Sequence, residues 1–279
     1  MVAPTVVAPP LVVIEPERGW SPLRLRDVWR SRDLLYFIAW RDIKVRYTQA
    51  ILGAGWAVIQ PLLLVAVFSV VLGRLAKIPS EGVPYIVFAF AGLVPWTFFS
   101  NGVAVASESL VSSSNLVSKV YFPRLVIPIG SLLAWLPDLA IASLMLLILM
   151  LAHGLIPAWT TVLLPLLGGF ALLAAVGVSL WLSALNVYYR DVRYAVPFFL
   201  QIGLFATPIV YPPTLVPPAL QPLLGVDPMS GVVEGFRWSV IGTTPNWSIV
   251  AISGAVTVIL LGSGLYYFRR MERTFADVV

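Results

Sequence analysis

The sequence contains no cysteine and a single histidine, His153, among its 279 residues. Disulfide bonds, thiolate metal sites and cysteine nucleophiles are therefore excluded, and a histidine metal cluster cannot form. The sequence also lacks a G-x-x-x-x-G-K-[ST] phosphate loop, a G-x-S-x-G elbow and an H-E-x-x-H pair. We therefore expect no catalytic residue, no metal site and no bound cofactor in this chain, and we do not expect it to be an enzyme.

Charge is also scarce, at 11% of the residues, whereas hydrophobic residues make up 59%. A typical globular protein has roughly 25% charged and 45–50% apolar residues. A soluble fold of this composition would expose large apolar patches to water. Intrinsic disorder is excluded for the opposite reason, because there is ample apolar surface to bury. The composition indicates a membrane protein that crosses the bilayer several times.

Long uncharged runs predict six transmembrane helices. A helix needs about 20 residues to cross a bilayer core of roughly 30 Å. The uncharged run at 139–189 is far too long for one crossing, and it divides at the turn signals Gly154 and Pro157. We predict an all-α polytopic fold with 27–279 as one transmembrane domain. The predicted spans are about 50–73, 84–106, 127–151, 160–186, 195–211 and 247–268.

The distribution of basic residues predicts the orientation. With six spans, both termini lie on the same side of the membrane. Of the 18 lysine and arginine residues, all but Arg74, Lys77 and Arg237 fall in the two terminal segments and in the 2–3 and 4–5 loops. Because cytoplasmic loops carry the excess of lysine and arginine, both termini are predicted to be cytoplasmic.

The segment at 27–46 carries too many charges to span a bilayer. Aromatic and apolar residues fall on one face of it, which predicts an amphipathic helix at the cytoplasmic membrane surface. The alternative is a cytoplasmic helix that packs on a partner protein. The preceding residues, 1–26, are predicted to be a flexible cytoplasmic extension. The face consists of Trp29, Tyr36, Trp40, Ile43 and Tyr47.

Between the fifth and sixth spans, the segment at 212–245 is rich in proline and yet largely apolar. Short apolar pieces of this kind are more often re-entrant or interfacial than spanning. Irregular backbone at membrane depth is tolerated where protein shields it or where it lines a cavity. We predict a periplasmic re-entrant hairpin that covers a pathway; the alternative is an ordinary external loop with hydrophobic packing.

Two inner loops are candidate docking points for a soluble partner. The loop at 107–123 has an apolar side and a polar side, which is compatible with a short helix along the membrane that Pro123 ends. The loop at 188–194 is compact, charged and aromatic. The first loop could equally be a linker, and the second could equally be an anchor at the membrane interface.

Two features inside the spans are candidates for a transport pathway. Asp138 is an intramembrane carboxylate, which is a functional candidate by default. Since the spans offer no clear partner for it, we favour capping of the backbone that Pro137 frees, or exposure to a wet cavity. Trp96, Phe98 and Phe99 lie too deep for an interface belt, and their faces suit the apolar C–H faces of sugars; lipid contact is the alternative.

Four motifs in order carry a family resemblance. They are WRDIKVRY at 40–47 with GAGW at 53–56 and QP at 60–61; GLVPWTFF at 92–99 with NLV at 115–117 and KVYFP at 119–123; NVYYRDV at 186–192 with TPIVY at 207–211; and DPM at 227–229 with Glu234 and Arg237. From about Leu34 to the C-terminus, the chain resembles the permease subunit of type 2 ABC exporters for polysaccharides and polyol phosphates, the O-antigen and teichoic-acid exporters. One departure is Asp227, where the family more commonly has asparagine.

The resemblance implies a homodimer of this chain with two copies of a cytosolic ABC ATPase, which would bind the ATP and magnesium. It implies a location in the bacterial inner membrane and contact with membrane lipid, with no role for nucleic acid. The substrate would be a polyprenyl-diphosphate-linked glycan, a precursor of lipopolysaccharide in the O-antigen case, exported from cytoplasm to periplasm.

The resemblance also implies roles for particular residues. The coupling residues at the ATPase would be Glu108, Asn115, Lys119, Tyr121, Phe122, Tyr189, Arg190 and Asp191. The lipid-diphosphate site would be Arg41, Lys44 and Arg46, unless these residues only reflect the cytoplasmic charge bias. The glycan-pathway aromatics would be Trp56, Trp96, Phe98, Phe99, Phe205 and Tyr211. The periplasmic gate would be Met229, Glu234 and Arg237.

Three other functions compete with glycan export. A type 2 ABC exporter of drugs or lipids would share the architecture and carry a different cargo. A membrane-embedded polyprenol-dependent glycosyltransferase would need external acidic residues, of which only Glu81, Asp227 and Glu234 are available. An ion-coupled carrier would use Asp138, and its Asp138→Asn variant would lose transport.

Overall fold

The computed structural model describes residues 29–48, 55–119 and 122–275, without the side chains of residues 56, 57 and 118. Within these residues the structure is built from helices and contains no strand, which confirms the all-α prediction for the described part of the chain. The predicted extension at 1–26, Tyr121 and the side chain of Trp56 lie outside what is described.

The α-helices of the described residues are numbered here in chain order. They are α1 (Arg32–Thr48), α2 (Gly55–Phe68), α3 (Tyr85–Ser112), α4 (Ser114–Lys119), α5 (Val126–Leu133), α6 (Leu136–Ala152), α7 (Leu164–Tyr188), α8 (Val192–Ala206), α9 (Gln221–Leu224), α10 (Pro228–Ile241) and α11 (Trp247–Met271). A π-helical segment, Ser69–Leu75, continues α2. Short 3-10 turns lie at Trp159–Leu163, Pro213–Leu215 and Glu272–Thr274.

Within the described ranges, five helical stretches are long and apolar enough to cross a membrane. They coincide with predicted spans one, two, three, four and six, and they are Val58–Leu75, Tyr85–Ser112, Val126–Ala152, Trp159–Tyr188 and Trp247–Thr274. The predicted fifth span overlaps α8, which is a shorter apolar helix. α8 ends at Ala206, and the next residue, Thr207, has an extended backbone because it precedes Pro208, a position that disfavours helix. A sixth crossing therefore stays a prediction.

The helix predicted for the membrane surface, α1, packs one face on α5. Ile38 is fully buried there, and a Cβ at Gly130 of α5 would lie 2.9 Å from the Ile38 side chain. On the opposite face, Tyr36 and Trp40 are exposed and stack with ring centroids 6.3 Å apart. The exposed aromatic face is compatible with the predicted interface position, which stays a prediction.

The third span is a broken helix, and the break positions the candidate site. α5 ends at Leu133 and α6 begins at Leu136, with Pro137 in its first turn. Proline is tolerated there because the first N–H groups of a helix have no partner inside it. Asp138 follows in the same turn, where the helix dipole stabilises a negative charge.

The core is centred on α3, which packs against α2, α5, α6, α7 and α10. The backbones of α7 and α11 approach each other closely where Gly177 faces Gly264. A Cβ at Gly264 would lie only 2.8 Å from the carbonyl oxygen of Gly177. Small residues let membrane helices approach this closely, because backbone packing rather than hydrophobic collapse drives their association.

The predicted hairpin at 212–245 contains α9 and a buried helix, α10, which packs on α3 and α11. Asp227 caps α10 by accepting a bond from the Met229 N–H at 3.1 Å, and its carboxylate also accepts bonds from Thr207 and Ser230. Aspartate and asparagine are comparably good caps, which accounts for the departure noted at this position. A re-entrant path through the membrane stays a prediction.

Candidate functional site, a polar cavity among the membrane helices

A cavity of about 480 Å³ lies between α2, α3, α6 and α8, at the C-terminal end of α1. Its volume is typical of a pocket for a small-molecule ligand, which ranges over roughly 300–1,000 Å³. The apolar part of its wall includes Pro61, Leu64, Leu139, Ala142, Leu200 and Leu204. The remaining lining is polar, charged or aromatic, so the cavity combines the groups that bind an amphipathic or polar ligand.

An ion pair forms the charged end of the cavity. Arg46, near the end of α1, donates from Nη1 to Asp138 Oδ2 at 2.7 Å. The same Nη1 donates to the carbonyl of Ala134, at the break between α5 and α6, at 3.2 Å. The side chains are 25% and 15% exposed, respectively, so the pair is partly shielded from water. Asp138 therefore has a partner, contrary to our expectation, and it also lines a cavity, as one of the alternatives predicted.

Aromatic neighbours hold this ion pair in place. The Arg46 guanidinium lies 3.5 Å from the centroid of the Trp135 ring, within the range of a cation–π contact. Among the described residues, the indole N–H of Trp135 has no hydrogen-bond partner. Burial, together with the charge of Asp138, raises the pKa of Tyr47 to about 12, so its hydroxyl is neutral at physiological pH. The charged end thus contains an arginine that is bonded on one side and stacked on Trp135, with the indole N–H of Trp135 and the hydroxyl of Tyr47 beside it.

Uncharged polar side chains line the rest of the cavity. They come from α2, α3 and α8, and they are Gln60, Thr97, Ser100, Asn101 and Gln201. The hydroxyls of Thr97 and Ser100 donate to carbonyls of α3, whereas amides offer both donors and acceptors to a ligand. Our sequence analysis missed these residues. The available signal was an amide inside an otherwise apolar span, since polar groups in a bilayer require partners.

The predicted pathway aromatics have different surroundings. Trp96 and Phe98 are 5% and 2% exposed, and both line the cavity. Phe99 is also buried and packs on Trp96, with ring centroids 5.6 Å apart. Phe205 is exposed on the surface of α8, and the hydroxyl of Tyr211 donates to the Ala206 carbonyl at 3.0 Å. The cavity therefore unites two of these aromatics with Arg46.

The predicted diphosphate residues all lie on α1, and their interactions differ. Arg41 pairs with Asp42 at 2.8 Å, and Asp42 also accepts a bond from Ser131 of α5. Lys44 is exposed. Of these three cations, Arg46 is the one that lines the cavity.

The predicted gate residues lie in the interior of the hairpin. Arg237 is 1% exposed, donates to the carbonyl of Ile209 at 2.5 Å and lies 3.7 Å from the Phe88 ring centroid. Its Nη1 is 3.8 Å from Glu234, which is also buried. Burial lowers the pKa of Arg237 to about 10 and raises the pKa of Glu234. These side chains, like buried Met229, tie α10 to neighbouring backbone rather than facing open space.

Among the described residues, no group of three or more His, Asp and Glu side chains comes together that could hold a metal ion.

Residues 33–241 match the family described as ABC-2 type transporter. The chain belongs to this family. A relative named O-antigen export system permease protein RfbA, from Myxococcus xanthus, is 27% identical over 258 residues, which is 91% of this chain and 98% of the relative. A protein of the same name from Klebsiella pneumoniae is 25% identical over 248 residues, covering 88% and 95%. A second one from that organism is 23% identical over the same shares.

This ABC-2 transporter subunit is a membrane component of a transporter and not an ATPase itself, and its family implies a partner ATPase. The predicted coupling residues lie on the two inner loops. Most of them are exposed: Glu108, Asn115, Lys119, Tyr189, Arg190 and Asp191. Phe122 is half-buried, and Tyr121 lies outside the described residues.

One apolar cluster connects both inner loops of the ABC-2 subunit. Val117 of α4 and Val187 at the end of α7 belong to the same buried cluster, together with Phe268 of α11. Asn186 adds a polar tie by donating to the carbonyl of Ser107 at 3.0 Å. The two loops are therefore anchored on the same buried apolar cluster, while their charged side chains are exposed.

Proposed function

We propose that this chain is the transmembrane subunit of an ATP-driven exporter that moves a polyprenyl-diphosphate-linked glycan from the cytoplasm to the periplasm of a bacterium. The observation that carries the proposal is the cavity, which joins an ion-paired arginine to aromatic and amide side chains among helices long and apolar enough to cross a membrane. The relatives support a glycan as the cargo, because they are named O-antigen export permeases and the similarity to this chain extends over almost their whole length.

The groups of the cavity suit the two parts of such a substrate. The bonds from Nη1 of Arg46 use two of the five N–H donors of its guanidinium, and a phosphate would take the others. Trp96 offers an aromatic ring to the apolar face of a sugar, and Asn101 and Gln201 offer amides to sugar hydroxyls. Lys44, exposed on α1, would attract the diphosphate to the inner headgroup layer.

The working assembly is two copies of this chain with two copies of an ABC ATPase, which hold the ATP and Mg²⁺. Each chain crosses the inner membrane six times with both termini in the cytoplasm, α8 being the fifth crossing. Closure of the ATPase pair pushes on the inner loops, the two permeases move apart or rotate, and the hairpin at 212–245 opens as a periplasmic gate.

The polar lining also bears on the competing functions. Drugs and lipids are mostly apolar, and most of the wall of this cavity is apolar as well, so it is the ion pair and the amides that favour a cargo with charged and hydroxyl groups. A proton carrier would use Asp138 as a lone carboxylate, whereas Asp138 is bonded to the Arg46 guanidinium at 2.7 Å. Glycan export therefore accounts for the site better than either alternative.

The direct test is reconstitution of this chain in vesicles together with an ABC ATPase from the same bacterium that co-purifies with it. The cargo is an oligosaccharide on undecaprenyl diphosphate. We expect the glycan to reach the lumen only with ATP and Mg²⁺, and only in vesicles whose nucleotide-binding side faces outward. Transport by this subunit alone without ATP, or equal transport of a neutral polyprenol, would contradict the proposal.

A cysteine-free chain permits a clean test of the six-span topology. We expect single cysteines at Lys119, Arg190 and Thr274 to be protected from a membrane-impermeant maleimide in intact spheroplasts. Cysteines at Arg74 and Thr244, which are exposed near the other ends of the helices, should react at once. All five should react after permeabilisation. Labelling of Thr274 but not Lys119 in intact cells would mean an odd number of crossings between these two residues and would contradict the six-span topology.

The docking role of the inner loops gives a separate prediction. Replacing both Lys119 and Arg190 by alanine should reduce ATPase co-purification about tenfold, which corresponds to a combined loss of about 1.4 kcal/mol of binding free energy. The matched control is Arg74→Ala, which removes an exposed cation at the opposite end of the molecule. Unchanged yield of the complex and unchanged export in the double variant would reject the coupling role.

A further inference from the structure

The C-terminal turn of the described chain is bonded to Arg124, the residue that directly follows the first inner loop. The Arg124 backbone N–H, on the loop between α4 and α5, donates to Glu272 Oε1 at 2.8 Å. The guanidinium of Arg124 also donates to the main-chain carbonyl of Glu272. The other carboxylate oxygen, Oε2, accepts from Arg269 of α11 at 2.8 Å. Glu272 and Arg269 are each 14% exposed, so this pair is mostly shielded from solvent.

The same turn is bonded to the second inner loop. The hydroxyls of Tyr188, at the end of α7, and Thr274 form a hydrogen bond. Phe275 is fully buried, with its ring centroid 5.3 Å from that of Phe268 and 6.4 Å from that of Tyr188. Phe275 therefore occupies the apolar cluster from which both inner loops rise.

These contacts lead back into the membrane through α11. The turn continues α11 directly, and α11 crosses α7 in close contact at Gly264 and Gly177. A displacement of either inner loop would consequently be transmitted to α11 through the hydrogen bonds of this turn and the packed ring of Phe275.

We propose that residues 272–275 form a coupling clamp, which joins the two ATPase-facing loops and α11 into one unit that moves as a rigid body. The clamp rests on the proposed function, because its role is to transmit force from a bound ATPase. Glu272 and Phe275 are its positioning residues: Glu272 holds the first loop, and Phe275 holds the second loop on the shared cluster. The clamp stays closed throughout transport.

Severing the clamp should uncouple ATP hydrolysis from export. We expect Glu272→Ala combined with Phe275→Ala to lower the glycan exported per ATP hydrolysed about tenfold in the complete complex, with ATP hydrolysis changed less than twofold. The matched control, Arg270→Ala, removes an exposed cation two residues before Glu272 and should leave this ratio unchanged. If the double variant exports as much glycan per ATP hydrolysed as the wild type, the proposal is overturned. This holds also if the variant gives less protein and both export and ATP hydrolysis fall in proportion.

A crosslinking experiment tests the rigid closure directly. Tyr188→Cys with Thr274→Cys, in the otherwise cysteine-free chain, is bridged by a short bis-maleimide. We expect the bridged complex to export at no less than half the rate of the unbridged double variant. Loss of export on bridging, with recovery when a cleavable bridge is cut, would show that the turn must open and would overturn the clamp. If the wild-type chain binds no ATPase at all, the proposed function fails before the clamp is tested.

Discussion

Replacing Asp138 by alanine should reduce glycan export at least tenfold. The substitution leaves the Arg46 guanidinium, 25% exposed, without the carboxylate that lies 2.7 Å from Nη1. Removing one partner of a fully buried pair costs about 3–5 kcal/mol, and an exposed pair contributes about 0.2–1 kcal/mol. For this partly shielded pair we expect the protein to lose about 1–3 kcal/mol of stability. We also expect the side chain of Arg46 to leave its position at the charged end of the cavity. The measurement is glycan at the cell surface in a strain whose own permease gene is deleted.

Two further variants identify the cause of that loss. Asp138→Asn keeps an oxygen that accepts a bond from Arg46, so we expect it to retain a substantial part of the export, whereas a proton carrier would lose transport. The matched control is Asp33→Ala, because Asp33 is an almost fully exposed carboxylate in the first turn of α1. If alanine at Asp138 is as active as alanine at Asp33, the ion pair has no role in export.

Replacing Gly264 by valine should prevent α7 and α11 from packing. A Cβ at this position would lie 2.8 Å from the carbonyl oxygen of Gly177 and 3.2 Å from the Trp181 ring. Because backbone cannot move aside as a flexible side chain can, the helices would have to separate. Overpacking typically costs about 1–3 kcal/mol and occasionally more. We expect the melting midpoint of the detergent-purified protein, followed by fluorescence-detected gel filtration, to fall by roughly 5–10 °C, using about 2–4 °C per kcal/mol for a chain of this size.

Gly262 is the matched control for this substitution. It lies on α11 two residues before Gly264, and a Cβ there would meet nothing within 4 Å. Valine at Gly262 adds the same side chain and the same loss of backbone freedom to the same helix. Equal melting midpoints for the two variants would mean that the close crossing does not stabilise the protein.

Most of the helical framework follows from the order of apolar and charged residues. A charged residue is costly in the bilayer wherever it occurs, so uncharged runs predict spans one residue at a time. The five long helical stretches confirm this at predicted spans one, two, three, four and six. The length of α8 does not follow from the uncharged run in the same way, because Pro208 ends the helix while the apolar run continues past Pro208.

The exposure of the inner loops was also readable from sequence, because Lys119, Arg190 and their charged neighbours are too costly to bury without partners. The cavity was not readable in the same way. Asn101 and Gln201 were visible only as isolated amides, and nothing in the sequence joined them to Arg46.

The sequence by itself determined that this chain is a helical membrane protein, where its apolar helices lie, and to which family of transporters it belongs. The tertiary structure alone decided that Arg46 meets Asp138 and that the C-terminal turn meets both inner loops. The physical reason is range: the cost of inserting a helix into lipid is summed over consecutive residues, whereas an ion pair between positions 92 residues apart depends on how a broken span packs against α1. Pairing of this kind becomes visible only when the helices are packed together.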